Sequence, residues 1–245
     1  NTLINIFQTG FNRWSTLPSV NVQVSYGGTT QVTDGVLDGV NVITFIDSSM
    51  LGTKGSSIVA ESPIFALTQT TTASGGELPI SINGETYHIP FPDGTYPPGT
   101  IVDANIRWNS DDIGSLLTTI KTDANGLLLN KVTISGVGTH EIGHVLGLAH
   151  SPLRNSTMYP FAMPITQFSE PDYPDQGTLD PDDTAAISRV YPSNSINNSF
   201  GGISGVVTQG KDGSPGSGAN IYAFDLRTNK PIASAYSASA DHQTN

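Results

Sequence analysis

Within eleven residues, His140-Glu141-Ile142-Gly143-His144-Val145-Leu146-Gly147-Leu148-Ala149-His150, the chain places three of its five histidines. No other stretch constrains the fold as tightly, because these imidazoles share one task only if a helix and a sharp return bring them together. His140 and His144 are four apart, so on a helix they share a face with Cβ atoms roughly 5–6 Å apart. They form a two-toothed clamp suited to one zinc ion, each imidazole nitrogen about 2.0–2.1 Å from the metal. Glu141 stands about 100° of helical turn from His140, close to the metal's neighbourhood but outside its shell. Gly147 can take a positive φ, which lets the helix stop and the chain swing back to deliver His150. Three protein ligands leave a fourth position open, as catalytic rather than structural zinc sites do.

Downstream lies Ser156-Thr157-Met158-Tyr159-Pro160. An extended histidine motif followed by a methionine turn resembles the metzincins. Ser151 directly after the third histidine, and Tyr159-Pro160 directly after Met158, resemble their matrixin branch. The astacin-like and serralysin-like branches carry a zinc-binding tyrosine two places after the methionine; here Pro160 fills that place. The resemblance implies an α+β chain with a metzincin (zincin-like) catalytic domain: a twisted mixed sheet, a long helix and the catalytic helix. It implies one zinc ion on His140, His144 and His150, with Gly147 and Met158 supporting the site. The implied activity is that of a secreted zinc endopeptidase acting on protein or peptide substrates. Glu141 would serve as general base and then acid. Substrate would lie extended along an edge strand near Ile58-Val59-Ala60, making Val59, Ala60, Tyr159 and Pro160 the candidate substrate-binding residues. Two alternatives remain: a metzincin of another branch, and an inactive zinc-containing adhesion or binding module.

Composition narrows the partners. A net charge of −11, from 21 acidic and 10 basic residues, argues against nucleic acid, which needs a basic face. No segment approaches the roughly 18–20 apolar residues of a membrane span. Cysteine is absent, so a disulfide framework, a thiolate metal site and the cysteine-switch latency of animal matrixins cannot arise within this sequence. Abundant Ser, Thr, Asn and Gly suit a secreted or cell-surface protein; a signal segment is expected to have been trimmed ahead of Asn1. A monomer is assumed.

Along the chain, apolar residues at 3, 4, 7, 11 and 14 have helical spacing. Strands are expected at Val20–Val24, Val40–Ile46, around Ile58–Ala60, at Ile64–Leu67 and at Ile101–Trp108. Thr68 to Thr100 reads as an insertion with a hairpin at Ile82-Asn83-Gly84-Glu85, where Asn-Gly favours a primed turn. His88 within it reads as a polar residue on an exposed strand. One histidine cannot supply the second, structural zinc of animal matrixins, so a single zinc is expected.

The catalytic helix is expected from near Lys131 to Leu146, with Thr139, Ile142 and Leu146 facing the core. Phe161 to Thr178 reads as a loop, its Phe161, Met163, Ile165 and Phe168 suggesting an apolar pocket wall. The acidic set Asp172, Asp175, Asp180, Asp182 and Asp183 has two readings. One is a calcium site, though no EF-hand spacing is present. The other is a helix start, with Asp180 as cap and Pro181 at the first position, ahead of a helix to Val190. Residues 1–192 would form the catalytic domain and 193–202 a linker. Residues 203–245 would begin an incomplete β-sandwich resembling carboxypeptidase-regulatory-like repeats, with strands near 205–208, 219–225 and 232–236.

Overall fold

The computed structural model describes residues 2–32, 37–46, 60–110, 121–122, 128–129, 134–161, 176–196 and 200–237. The amphipathic opening segment is helix α1 (Thr2–Ser15). Its apolar stripe lies against α2 (Ile134–Val145), the helix that carries the histidines. Trp14, fully buried, fastens the pair by donating from Nε1 to the Thr139 carbonyl at 2.8 Å. Arg13 adds bonds from Nη1 to the Ser135 and Thr139 hydroxyls at 2.9 and 3.0 Å.

Helix α2 is buried along most of its length, at Ile134 and the whole of Gly136 to Gly143, and only half-buried at His144 and Val145. Packing explains its stability, because Gly136, Gly138 and Gly143 each cost about 1 kcal/mol of helix propensity. Burial of each large apolar neighbour returns roughly 1.5–3 kcal/mol. Trp108, Phe7, Met158 and Ile187 are among those neighbours. Phe7 meets Trp108 edge-on, ring centres 5.7 Å apart.

The sheet over this core runs β1 (Ile43–Ile46), β9 (Ile106–Asn109), β2 (Ala60–Glu61), with β1 parallel and β2 antiparallel to β9. It is mixed, and among the described residues β2 forms its edge. The expected single strand 101–108 is two: β8 (Ile101–Ala104) pairs with β3 (Ile64–Ala66), and Asn105 breaks it from β9. Asn105 is buried and replaces ladder partners with its own groups. Its N–H donates to the Pro63 carbonyl, and its Oδ1 accepts from Val42 N.

Residues 67–102, most of which read as an insertion in the sequence, build a second small core around Leu67, Leu78, Ile89 and Val102. β4 (Thr71–Ala73) pairs with β7 (Gly94–Tyr96), and β5 (Glu77–Ile82) with β6 (Glu85–Pro90). The β5–β6 turn is the expected one: Asn83 and Gly84 have φ of 52° and 85°, as a type I′ turn requires. His88 sits exposed on β6, its Nδ1 3.5 Å from a Glu77 carboxylate oxygen.

Two short strands, β10 (Lys121–Thr122) and β11 (Leu128–Leu129), pair antiparallel. Helix α3 (Pro181–Val190) begins with a full capping box from Asp180 and Asp183, as the helix-start reading anticipated. The last elements form a hairpin of β12 (Asn220–Asp225) and β13 (Lys230–Tyr236).

Two strand expectations fail. Val20–Val24 is not a strand: Val20 makes an isolated bridge to Pro192 and Asn21 N donates to the Tyr191 carbonyl, so the segment ties the end of α1 to the exit of α3. Residues 205–208 contribute one isolated bridge, Thr208 with Pro215. Apolar alternation shows that a strand could form; it does not supply a partner.

Candidate metal centre

α2 sets His140, Glu141 and His144, and its ending sets His150. The Gly147 N–H donates to the His144 carbonyl at 2.7 Å and Leu148 N–H to the Gly143 carbonyl at 3.0 Å. That bond pair is a Schellman ending, with Gly147 at φ 90° in the left-handed position that favours glycine. The reversal returns the chain so that His150 Nε2 lies 3.2 Å from His144 Nε2, while His144 and His140 Nε2 stand 3.1 Å apart.

These separations fit a shared ion. Two nitrogens each about 2.05 Å from a tetrahedral zinc stand roughly 3.3 Å apart. The backs of the rings fix the tautomers. His140 Nδ1–H donates to the Thr157 carbonyl and His144 Nδ1–H to the Leu148 carbonyl, both at 2.7 Å. A carbonyl only accepts, so Nδ1 carries the hydrogen and each Nε2 points a bare lone pair inward. Facing lone pairs repel unless a cation lies between them, and the donor set therefore suits zinc. Among the described residues these three histidines are the set of donors close enough to hold a metal.

Burial tunes the same groups. Loss of solvent lowers His140 to about 4, its proximity to His144 and His150 adding to the effect and its bond to Thr157 opposing it. His144 and His150 are lowered as well, again chiefly by burial. All three are thus neutral, as ligands must be. Glu141, 5% exposed, is raised to about 7 by burial, with a smaller push from Glu61 and a pull downward from its bond to Ser62. Ser62 Oγ donates to Glu141 Oε2 at 2.7 Å.

Met158 lies beneath the helix, 2% exposed, against Gly143 and Trp14. Asp183 secures this turn. It accepts from Ser156 Oγ, Thr157 N at 2.7 Å, Met158 N at 3.1 Å and Asp180 N at 2.8 Å. Because the Thr157 carbonyl orients His140, the α3 carboxylate reaches the metal centre through one peptide. Burial raises Asp183 above the ordinary carboxylate range, against the pull of those bonds. Asp182, also buried, accepts from Ser151 Oγ, and from the Ser234 N–H and hydroxyl on β13. The α3 acids are thus consumed by hydrogen bonds, and calcium finds no support among the described residues.

Sequence reasoning identified the histidines, Glu141, Gly147 and Met158, and the structure gathers them. It missed Ser62, Thr157 and Asp183. The Asp180 cap signal pointed toward α3 but not to the role of Asp183, and no sequence signal marked Ser62. Of the substrate-binding candidates, Ala60 lies in edge strand β2, while Val59 is outside the described residues. Tyr159 is half-buried and Pro160 exposed. The Tyr159 ring lies 5.8 Å from that of Phe161, and its carbonyl accepts from Gln176 Nε2 at 2.9 Å. Met163, Ile165, Phe168, Asp172 and Asp175 fall outside the described residues, as does the expected start of the catalytic helix at Lys131.

Comparison with known proteins agrees with this geometry. The sequence profile of the matrixin family matches residues 71–192, so most of the expected insertion, from residue 71 onward, lies within the matched span. Metalloendoproteinase 1-MMP of Arabidopsis thaliana is 33% identical over 93 residues, 38% of this chain and 21% of that protein. Metalloendoproteinase 4-MMP of the same plant is 35% identical over 63 residues, 26% of this chain and 16% of that protein. The chain therefore aligns with about a fifth or less of each relative's length. Matrixins are zinc enzymes, and the region of this chain that matches their profile includes the three histidines that could hold a metal ion.

Proposed function

We propose that this chain is a secreted zinc-dependent endopeptidase in which His140, His144 and His150 hold one zinc ion and Glu141 is the general base and acid. The observation that carries the reading is the convergence of Nε2 lone pairs, their Nδ1 atoms tied to backbone carbonyls, beside a buried carboxylate. Bound zinc supplies Lewis acidity, drawing the pKa of water from about 15.7 toward 7 and polarising a peptide carbonyl. Glu141 takes a proton from the attacking water and passes it to the leaving amine. Burial raises the affinity of this carboxylate for a proton, and its bond from Ser62 opposes that rise. The neutral histidines remain ligands throughout.

Substrate binds extended, adding a strand to the outer edge of β2, with Val59 and Ala60 offering main-chain groups. Among the described residues, no strand pairs with the side of β2 that faces away from β9. Tyr159 and Pro160 border the side that receives the residue after the scissile bond. Residues 1–192 serve as the catalytic domain, 193–202 as linker, and 203–245 as a β segment built on the β12–β13 hairpin. No described helix is long and apolar enough to cross a membrane.

Glu141→Gln or Glu141→Ala tests the assignment. Either variant should retain zinc while peptide cleavage falls by roughly 10²–10⁴-fold. A chelator should silence the wild type and added zinc restore it. Turnover that survives the Glu141 change, or that ignores the chelator, overturns the mechanism.

A further inference from the structure

We propose that Ser62 is a positioning residue for Glu141, setting which carboxylate oxygen exchanges the proton and tying the base to the strand that binds substrate. The inference rests on the reading of Glu141 as base but adds a residue to it. Ser62 Oγ lies 2.7 Å from Glu141 Oε2 and 3.2 Å from the Glu141 carbonyl. A serine hydroxyl has one hydrogen, and the shorter contact is to the carboxylate, the stronger acceptor. Among the described residues no hydrogen bond engages Oε1. Fixing Oε2 therefore leaves Oε1 as the oxygen that faces the reacting water.

The backbone beneath Ser62 is held on both sides. Ala60 and Glu61 pair with Trp108 and Arg107 of β9, and the Glu61 carboxylate meets Arg107 Nη1 at 3.0 Å. Immediately after Ser62, the Pro63 ring fixes φ and its carbonyl accepts the buried Asn105 N–H at 3.0 Å. A hydroxyl on a single rotatable bond, carried on such a frame, holds a partner closely. Glu141 has three side-chain torsions of its own and belongs to another element, 79 residues away. Ser62 joins the two. The strand that orders the substrate backbone then also orders the base, and both shift together if the edge moves. Such alignment matters because misplacement of a reacting group by about 1 Å costs on the order of 10²-fold in rate.

Ser62→Ala, Ser62→Thr and wild type, all zinc-loaded, test the proposal. Loss of a hydrogen bond to a charged group predicts a fall of roughly ten- to a hundredfold in kcat for Ser62→Ala, with KM within about twofold and zinc stoichiometry unchanged. Ser62→Thr keeps the hydroxyl and should recover most of the rate. Infrared difference spectra of wild type against Glu141→Gln locate the Glu141 carboxyl band. That band should move in Ser62→Ala and stay near the wild-type position in Ser62→Thr. Unchanged kcat, or a raised KM with kcat intact, overturns the proposal and assigns Ser62 to fold or substrate contact. If the wild type shows no zinc-dependent cleavage, the protease reading fails on its own. The infrared arm then decides alone, and an unmoved band refutes the proposed hold on Glu141.

Discussion

Gly143→Ala is a single methyl aimed at the contact between α2 and the methionine turn. A Cβ on Gly143 would stand 3.0 Å from Trp14 Cζ2 and 3.2 Å from Met158 Cε, and far inside contact distance of Met158 Sδ. Neither neighbour can retreat easily. Trp14 is fully buried and its Nε1–H is bound to the Thr139 carbonyl at 2.8 Å. Met158 is 2% exposed, with its N–H held by Asp183 and its carbonyl accepting from Ser151 N at 2.8 Å. In an unconstrained helix the substitution would gain about 1 kcal/mol of propensity. Overpacking a filled core costs about 1–3 kcal/mol, and two fixed neighbours place this site at the upper end. The net expectation is a loss of about 2 kcal/mol, or roughly 4–8 °C in melting midpoint for a chain of this size. Displacing Met158 also drags Thr157, whose carbonyl orients His140, so zinc affinity should weaken in parallel. Urea unfolding of the zinc-free protein and a zinc titration measure the two effects. A double-mutant cycle with Met158→Ala isolates the clash, because removing the sulfur in the Gly143→Ala background should cost at least about 1 kcal/mol less than in wild type. A Gly143→Ala protein as stable as wild type, with additive double-mutant energies, would refute the packing argument.

The zinc-free protein should show the burial of Glu141 directly. Its pKa is raised from 4.5 to about 7 on folding, so the folded state holds the proton more tightly. Stability from this group is present below the unfolded value and lost as pH rises through 7, a change of about 3 kcal/mol. Glu141→Gln cannot lose it, and its stability relative to wild type should rise by that amount between pH 4.5 and 8; a pH-independent difference in chelator would contradict the burial argument. Asp183→Asn should cost about 3 kcal/mol and weaken zinc binding, because one amide oxygen cannot replace a carboxylate that accepts four bonds, and its NH₂ would face backbone N–H groups; unchanged urea midpoints would count against it. Zinc at a thousandfold excess over its Kd should add about 4 kcal/mol to stability, read by thermal unfolding. The extra hydrogen-exchange protection should centre on residues 140–150 and the methionine turn, and protection spread evenly over the chain would contradict a local linkage.

What the sequence revealed and what it concealed divide by the range of the interaction. The spacing of His140 and His144, the stripe on α1, the Asn83-Gly84 turn and the Asp180 cap are all settled within a few residues, and each was readable. The failures share the opposite character. Val20–Val24 alternates as a strand should, yet the segment lies against Tyr191 and Pro192 rather than against a sheet. The run from Ile101 to Trp108 keeps its period while Asn105, buried in the middle, splits it between two partners. The same division holds at the metal centre. Its ligands are local, and Leu148 orients His144 from four residues away, but the other supports are distant: Thr157 meets His140 across 17 residues, Asp183 meets Thr157 across 26, and Ser62 meets Glu141 across 79. A motif can therefore announce which atoms face the metal without announcing what holds them there. Removing one of those distant partners should move zinc affinity or kcat while every residue of the motif stays in place.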